Sequence, residues 1–203
     1  MAKKIKYILL LTVALNFLAC SSTPVNTEYF TLHAKSGWDE SVSLNKTFAL
    51  GVGPVILPES LDAPGIVTLA EKNQLNISTR RLWAGDLKKS VTRVIADNIS
   101  EITAMPQVWS HPWDGRQRPE KQVAVVVEQL QGALGGTVVL KAKWRVLESY
   151  GNTSLGVYAE QFSVETRGKG YGDYAVAVND LMNQLSLRIA KTLSQTHWQS
   201  DER

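Results

Sequence analysis

The stretch Thr137-Val-Val-Leu-Lys-Ala-Lys-Trp-Arg-Val-Leu-Glu-Ser149 alternates apolar and charged side chains over most of its length. Successive side chains of a strand point to opposite faces of a sheet, so one face of this segment is apolar and the other is basic. The apolar face carries Val138, Leu140, Ala142, Trp144 and Val146, and the basic face carries Lys141, Lys143 and Arg145. This pattern predicts an antiparallel strand with one buried and one solvated face.

Strand-like segments lie on both sides of this stretch. Gln122–Leu130 precedes it across a turn region at Gly132–Gly136, and Leu155–Arg167 follows it after Gly151-Asn152. These three segments predict consecutive strands of one sheet. Further strands are expected at Glu28–His33, Lys46–Val55 and Val108–Trp109, with a hairpin formed by Ile66–Leu69 and Gln74–Thr79.

Two segments have the residue spacing of amphipathic helices. The first spans Leu82 to Thr103 and is ended by Met105-Pro106. The second spans Tyr174 to Ser194, and Asp173 can cap its N-terminus. We therefore expect the fold class α+β, with a single domain over residues 28–197 in which two long helices pack on a mostly antiparallel sheet.

The segment Gly53–Val67 holds Pro54, Pro58 and Pro64, which exclude a long helix and favour extended backbone with turns. It is unusually apolar for a connection between strands. Its apolar side chains are Val55, Ile56, Leu57, Leu61, Ile66 and Val67. Either they pack under the domain or they form a contact surface for a partner.

The N-terminus has the features of a secretory signal. Lys3, Lys4 and Lys6 form a positive region, and Ile8–Leu18 forms an apolar region too short to span a bilayer as a helix. These three lysines are among the 22 basic residues, so 19 remain against 19 acidic residues after cleavage. The mature chain is therefore near neutral, and we expect no binding to nucleic acid.

Cys20 is the only cysteine, so an intramolecular disulfide is excluded. The segment Phe17-Leu-Ala-Cys20 resembles the lipobox of bacterial lipoproteins, in which the cysteine becomes the acylated first residue. That resemblance implies a signal peptide over residues 1–19 and a lipidated tether over residues 20–27. Ser21, rather than an aspartate, implies delivery to the outer membrane. The alternative is an ordinary signal peptide in which the cysteine occurs by chance. At the other end of the chain, residues 198–203 are expected to be a polar tail.

The sequence contains no recognisable catalytic or metal-binding pattern. His33, His111 and His197 are far apart in sequence, and no cysteine lies inside the predicted domain. The glycines of Gly168–Gly172 do not have the spacing of a dinucleotide-binding loop, so we interpret them as a turn before a helix. We therefore expect neither a cofactor nor enzymatic activity. The basic strand face could meet anionic lipid head groups or an acidic partner, or it could be solvated and paired with Glu128 or Glu160.

Several short motifs, taken in order, resemble the PqiC/YmbA family of small lipoproteins. They are Gly53-Pro-Val-Ile-Leu-Pro58; Leu61-Asp62 with Pro64 and Ile66-Val-Thr68; Arg81-Leu-Trp83-Ala84 with Leu87; Gly135-Gly136 with Trp144; and Gly170-Tyr-Gly-Asp-Tyr174. Together with the lipobox, this resemblance covers nearly all of the mature chain.

The resemblance implies a lipoprotein anchored in the outer membrane by acyl chains such as palmitate and facing the periplasm. Its expected partner is a PqiB-like transporter subunit that carries mammalian-cell-entry (MCE) domains. The chain would dock the distal end of that subunit's tube, assist lipid transport and support membrane integrity, and it could form a homo-oligomeric ring. The residues expected to contact the partner are Pro54, Leu57, Pro58, Leu61, Asp62, Ile66 and Trp83. A stand-alone periplasmic lipid-binding lipoprotein and an envelope enzyme remain the alternatives.

Overall fold

The computed structural model describes residues 26–45, 48–71, 73–148, 153–196 and 198. The strand predicted within Thr137–Ser149 lies inside the larger of its two sheets. The strands are β1 (Glu28–Phe30), β2 (Leu50–Ile56), β3 (Gly65–Leu69), β4 (Leu75–Trp83), β5 (Val108–Ser110), β6 (Lys121–Gly132), β7 (Thr137–Glu148) and β8 (Thr153–Glu165). The helices are α1 (Leu87–Thr103) and α2 (Tyr171–Gln195), with a 3-10 turn at Glu59–Leu61.

The α+β class and the two long helices are confirmed, and the strands form two mixed sheets where we expected one mostly antiparallel sheet. The larger sheet has the order β5-β2-β6-β7-β8, and the smaller has the order β1-β4-β3. The expected strands β6, β7 and β8 pair antiparallel, as does the expected hairpin of β3 and β4. The other pairs are parallel: β2 pairs with both β5 and β6, and β1 pairs with β4.

The alternation in β7 is confirmed as a division between core and solvent. Its apolar face is buried, with Trp144 only 2% exposed, whereas Lys141, Lys143 and Arg145 are exposed. Trp144 stacks on Tyr158 of β8 with the ring centroids 5.8 Å apart. Both helices pack on the same face of the larger sheet, α1 over β2 and β5 and α2 over β7 and β8. The opposite face, which we call the outer face, carries the basic side chains of β7.

The first helix begins at Leu87, so the prediction that it begins at Leu82 was wrong. Leu82 and Trp83 instead continue β4, where they pair with Tyr29 and Phe30 of β1. The helix starts where Asp86 can cap it, since the Asp86 carboxylate accepts a 3.0 Å hydrogen bond from the Lys89 N–H.

The second helix begins at Tyr171, three residues earlier than predicted, with Gly170 as the N-cap residue. Asp173 is therefore not the cap. It lies in the first turn, and its carboxylate accepts a 3.2 Å hydrogen bond from the Gly170 N–H. The position still suits an acidic side chain, because the N-terminal end of a helix carries partial positive charge.

The far end of the larger sheet contains a buried ion pair. Lys121, at the start of β6, and Glu148, at the end of β7, form an ion pair and are 8% and 6% exposed. The ring of Trp198 lies 5.7 Å from the Lys121 ammonium and 4.6 Å from the ring of Phe48. Trp198 thus packs on the domain, although we placed it at the start of the polar tail.

Candidate docking surface

The segment Gly53–Val67 divides between the core and the surface, so the two interpretations of its apolar side chains apply to different residues. Leu61 is 7% exposed, and Ile66 and Val67 are also buried. Ile56 is 54% exposed. Pro54 and Asp62 are exposed as well, while Leu57 and Pro58 are half-buried.

A bulge in β2 causes this division. Val52 and Val55 both point into the core, because the pairing of β2 with β6 shifts between them. Gly53 has a φ of +120°, and a Cβ there would lie 2.5 Å from the Cβ of His111. The Gly53 carbonyl accepts a 2.7 Å hydrogen bond from the Gln122 side chain. Glycine at this position therefore lets the strand reverse its alternation, so that Pro54 and Ile56 face outward.

The bulge brings the two surface candidates of the sequence together. On the outer face, Ile56 lies across from Val126, which lies across from Lys143. In the next row, Arg145 lies between Ala124 and Val157. We call Pro54, Ile56, Val126, Val157, Lys143 and Arg145 the β2–β8 patch; with Ala124 and the neighbouring backbone it lines a hollow of about 180 Å³.

The charges around this patch are only partly free to meet a partner. The Lys143 ammonium lies 2.5 Å from the Glu128 carboxylate, which confirms the expected pairing with a neighbouring strand. Glu160 instead pairs with Arg188 of α2 at 2.5 Å. Because these side chains are substantially exposed, each pair contributes little to stability. The patch therefore presents apolar side chains on β2, β6 and β8, with Lys143 and Arg145 of β7 between them.

A second hollow borders the patch and contains most of the predicted contact residues. It has a volume of about 310 Å³. Its lining includes Leu57, Pro58, Leu61 and Asp62, together with Asp86, Leu87 and Lys88 at the start of α1. Ile56 lines both hollows. The segment and the basic strand thus form one continuous surface that is joined at Ile56.

Three of the predicted contact residues lie in the core, which corrects their expected role. Leu61, Ile66 and Trp83 are each at most 7% exposed, so their side chains have little surface to offer a partner. Trp83 instead links the segment Gly53–Val67 to β4, since its backbone N–H donates a 2.8 Å hydrogen bond to the Pro64 carbonyl.

The predicted lipidation site lies outside the described residues, as does the adjacent Ser21. None of the helices in the described ranges is both long and apolar enough to cross a membrane. In those same ranges, no three His, Cys, Asp or Glu side chains are grouped as a metal ion would require.

Val126, Val157 and Ala124 were not among the predicted surface residues. A signal for two of them was present in Val123-Ala-Val-Val-Val127, where apolar residues occupy both phases of the alternation. One phase of this run is buried in the core, whereas Ala124 and Val126 lie on the outer face. A strand that is apolar on both faces within a sheet covered on one side indicates a contact surface.

Known proteins resemble this chain in sequence. The sequence model of a family described as the ABC-type transport auxiliary lipoprotein component matches residues 30–190. The intermembrane transport lipoprotein PqiC of Escherichia coli strain K12 is 28% identical over 136 residues, which cover 66% of this chain and 71% of that protein. The Shigella flexneri protein with the same name matches to the same extent.

Solved structures resemble the fold. The crystal structure of an uncharacterized protein has a TM-score of 0.66 and 20% identity, and the match covers 83% of this chain and 99% of that chain. A protein from Xanthomonas campestris has a TM-score of 0.70 and 10% identity, with 83% and 95% covered. These likenesses support the arrangement of two sheets and two helices.

Proposed function

The chain belongs to the family of ABC-type transport auxiliary lipoprotein components, and from this premise we propose that it is the membrane-anchored lipoprotein subunit of an intermembrane lipid transport system. The match to the intermembrane transport lipoproteins of two enteric bacteria supports the class of system. The role would be structural: an acyl anchor, a rigid domain and a surface that holds the transporter.

The anchor in this proposal is Cys20, acylated after removal of residues 1–19. The lipobox-like sequence before Cys20 and the presence of Ser21 after it support outer-membrane delivery, with the domain in the periplasm. Several acyl chains on one cysteine hold a protein far more firmly than a single chain, which gives only marginal binding.

The observation that carries the docking role is that the exposed Ile56 joins two hollows, a mixed polar and apolar one beside Leu57 and an apolar one that extends to Val157. Exposed apolar surface bordered by charged side chains is typical of protein contact sites. We propose that this surface receives an MCE-domain subunit, similar to PqiB, at the end of its tube. Because such partners form closed rings, a matching cyclic homo-oligomer of this chain is part of the proposal.

Ile56→Asp tests this docking role. Ile56 is about half exposed, so we expect the free energy of unfolding to fall by only about 1 kcal/mol, from lost strand propensity and partial burial. Binding to the MCE-type subunit should be lost, because the new carboxylate would be buried without a partner. The measurements are thermal melting followed by capture of the purified partner subunit.

Two further variants serve as references in the same assay. Gln161→Asp changes an exposed residue of β8 outside the β2–β8 patch, so it should both melt and bind normally. Leu61→Asp places a charge in the core and should lower stability by several kcal/mol, about 3 or more. Normal binding by Ile56→Asp would refute docking through this surface, and reduced binding by Gln161→Asp would make the effect non-specific.

The alternative of a stand-alone lipid-binding domain requires an enclosed apolar cavity. The space between Leu61, Val67, Trp83 and Tyr174 has a volume of about 10 Å³, close to the minimum for one water molecule. The hollow of the β2–β8 patch is apolar, but it is a depression in the sheet surface. These two spaces favour a docking module over a domain that encloses lipid.

A further inference from the structure

A second group of exposed apolar side chains lies around β1 and the start of α2, away from the β2–β8 patch. Tyr29 is 66% exposed, Ile77 is 50% exposed and Val176 is 47% exposed. Single exposed apolar residues are ordinary, but a connected group near the end of a tether has a more specific meaning.

Two hollows lie beside these side chains. One is lined by Ile77, Arg80, Arg81 and Tyr171, and the other is lined by Tyr29, Gly172 and Val176. Tyr171 and Gly172 are consecutive residues, so both hollows border the first turn of α2. We call Tyr29, Ile77, Arg80, Arg81, Tyr171 and Val176 the β1–α2 surface.

The same surface holds the point where the chain enters the domain. The Arg81 guanidinium donates a 3.3 Å hydrogen bond to the carbonyl of Asn26 and lies 3.1 Å from the Glu28 carboxylate. Asn26 is six positions after Cys20. Six residues of extended chain span at most about 20 Å, so an acylated Cys20 keeps the membrane within that distance of Asn26.

We propose that the β1–α2 surface rests on the lipid head groups of the anchoring membrane; this inference depends on the proposed acylation of Cys20. Tyrosine is a suitable side chain for that position, because its ring is apolar and its hydroxyl can remain in the head-group layer. Ile77 and Val176 supply apolar area, and Arg80 supplies a cation for lipid phosphates. Of the acidic side chains here, Glu28 is neutralised by Arg81, whereas Asp180 lines the hollow beside Val176 and offsets part of the positive charge of Arg80.

Contact with lipid would fix the orientation of the domain relative to the membrane. The docking surface would then face one direction, although the domain is attached only through a short tether. A domain held only by a tether could turn freely and would present the β2–β8 patch in many directions. The β1–α2 surface differs from the β2–β8 patch in two respects. It carries the exposed ring of Tyr29, and it includes the point at Asn26 where the chain enters the domain.

The test uses the full mature lipoprotein in liposomes of phosphatidylethanolamine and phosphatidylglycerol. Acylation blocks the thiol of Cys20, so a cysteine introduced by Ile77→Cys or Tyr29→Cys can be labelled alone with an environment-sensitive fluorophore. Val157→Cys is the matched control, because Val157 is 64% exposed but lies on the β2–β8 patch. Emission is quenched either by nitroxide on lipid head groups or by iodide in the water.

We expect labels at positions 77 and 29 to shift to shorter wavelength and to be quenched by head-group nitroxide. The label at position 157 should be quenched by iodide instead. Iodide quenching at position 77 equal to that at position 157, in protein that floats with the liposomes, would overturn the lipid contact and leave the anchor intact. Protein that does not float would overturn the acylation and this inference together. Shielding of position 77 only after addition of the transporter subunit would assign the surface to a protein partner.

Discussion

Tyr174 places a hydroxyl inside the core at the first turn of α2. The hydroxyl donates a 3.0 Å hydrogen bond to the Val67 carbonyl of β3, which joins the helix to the smaller sheet. Burial raises the pKa of Tyr174 to about 12, although a backbone hydrogen bond with Gly132 lowers it in part. The folded domain therefore holds the proton of this phenol more tightly than the unfolded chain does.

This shift predicts a loss of stability at alkaline pH. The contribution is fully present below the unfolded pKa of about 10, and it is lost as the pH rises through the folded pKa. Over that window it amounts to about 3 kcal/mol at most. Tyr174→Phe should lack this component. Denaturant unfolding at several pH values measures it as the difference between the two proteins, and equal pH profiles would contradict the assignment.

Substitutions at Trp144 can distinguish how side-chain volume and an unpaired polar group in the core affect stability. Its side chain is buried, and its indole N–H has no hydrogen-bond partner in the part of the chain that the structure describes. Trp144→Ala should lower the free energy of unfolding by about 3–5 kcal/mol, because it leaves a cavity beside Tyr158.

Trp144→Phe should cost less than half of that amount, since it keeps most of the ring and removes the unpaired N–H. Urea unfolding of the two variants checks the order. A phenylalanine variant as unstable as the alanine variant would show that the full width of the indole is required.

At the scale of elements, the start of α1 depends on one side chain. Asp86 accepts a hydrogen bond from the Lys89 N–H, which would otherwise lack an intrahelical partner. Asp86→Ala should destabilise the domain by about 1 kcal/mol. Asp97→Ala is a suitable reference, because Asp97 is an exposed residue of the same helix, lies away from its N-terminus and pairs with Arg93. Thermal melting of both variants shows whether the loss of stability comes from the missing cap or from the removal of a negative charge.

The sequence pattern predicted the long elements well and the short ones less well. Twelve-residue strands such as β6 and β7 repeat their alternation often enough to be recognised. The pairing of β1 and β5 depends on contacts distant in sequence, and three-residue strands carry little pattern of their own. Leu82 and Trp83 fit a helical stripe as well as a strand, so the start of α1 was placed too early. The cap at Asp86 was the signal that could have corrected it.

At the scale of the whole molecule, the sequence identified a surface but not its limits. The segment Gly53–Val67 and the basic face of β7 were both candidates, and the bulge at Gly53 is what joins them. A reversal of strand alternation depends on the partner strand and on the space beside His111, so residue spacing alone does not reveal it. For the same reason, the exposed Ile56 could not be distinguished from the buried Val55.

The anchoring of the molecule is tested at Cys20. Cys20→Ser removes the thiol that would carry acyl chains, so the protein should leave the outer-membrane fraction or persist as an uncleaved precursor. Fractionation of the envelope followed by immunoblotting measures this result. Ser21→Asp is the complementary variant, since it should retain acylation but alter delivery. Normal outer-membrane fractionation of Cys20→Ser would exclude a lipoprotein.

The packing of Trp198 over the far end of the sheet affects how the domain responds to dissolved ions. The Trp198 ring lies over the Lys121 ammonium, and both members of the ion pair are buried, so the contribution of the pair should depend little on ionic strength. In a fragment that ends at Gln195, water and salt would reach both charges. We expect the free energy of unfolding of such a fragment to fall progressively as salt is added. That of the intact chain should change much less between low and high salt.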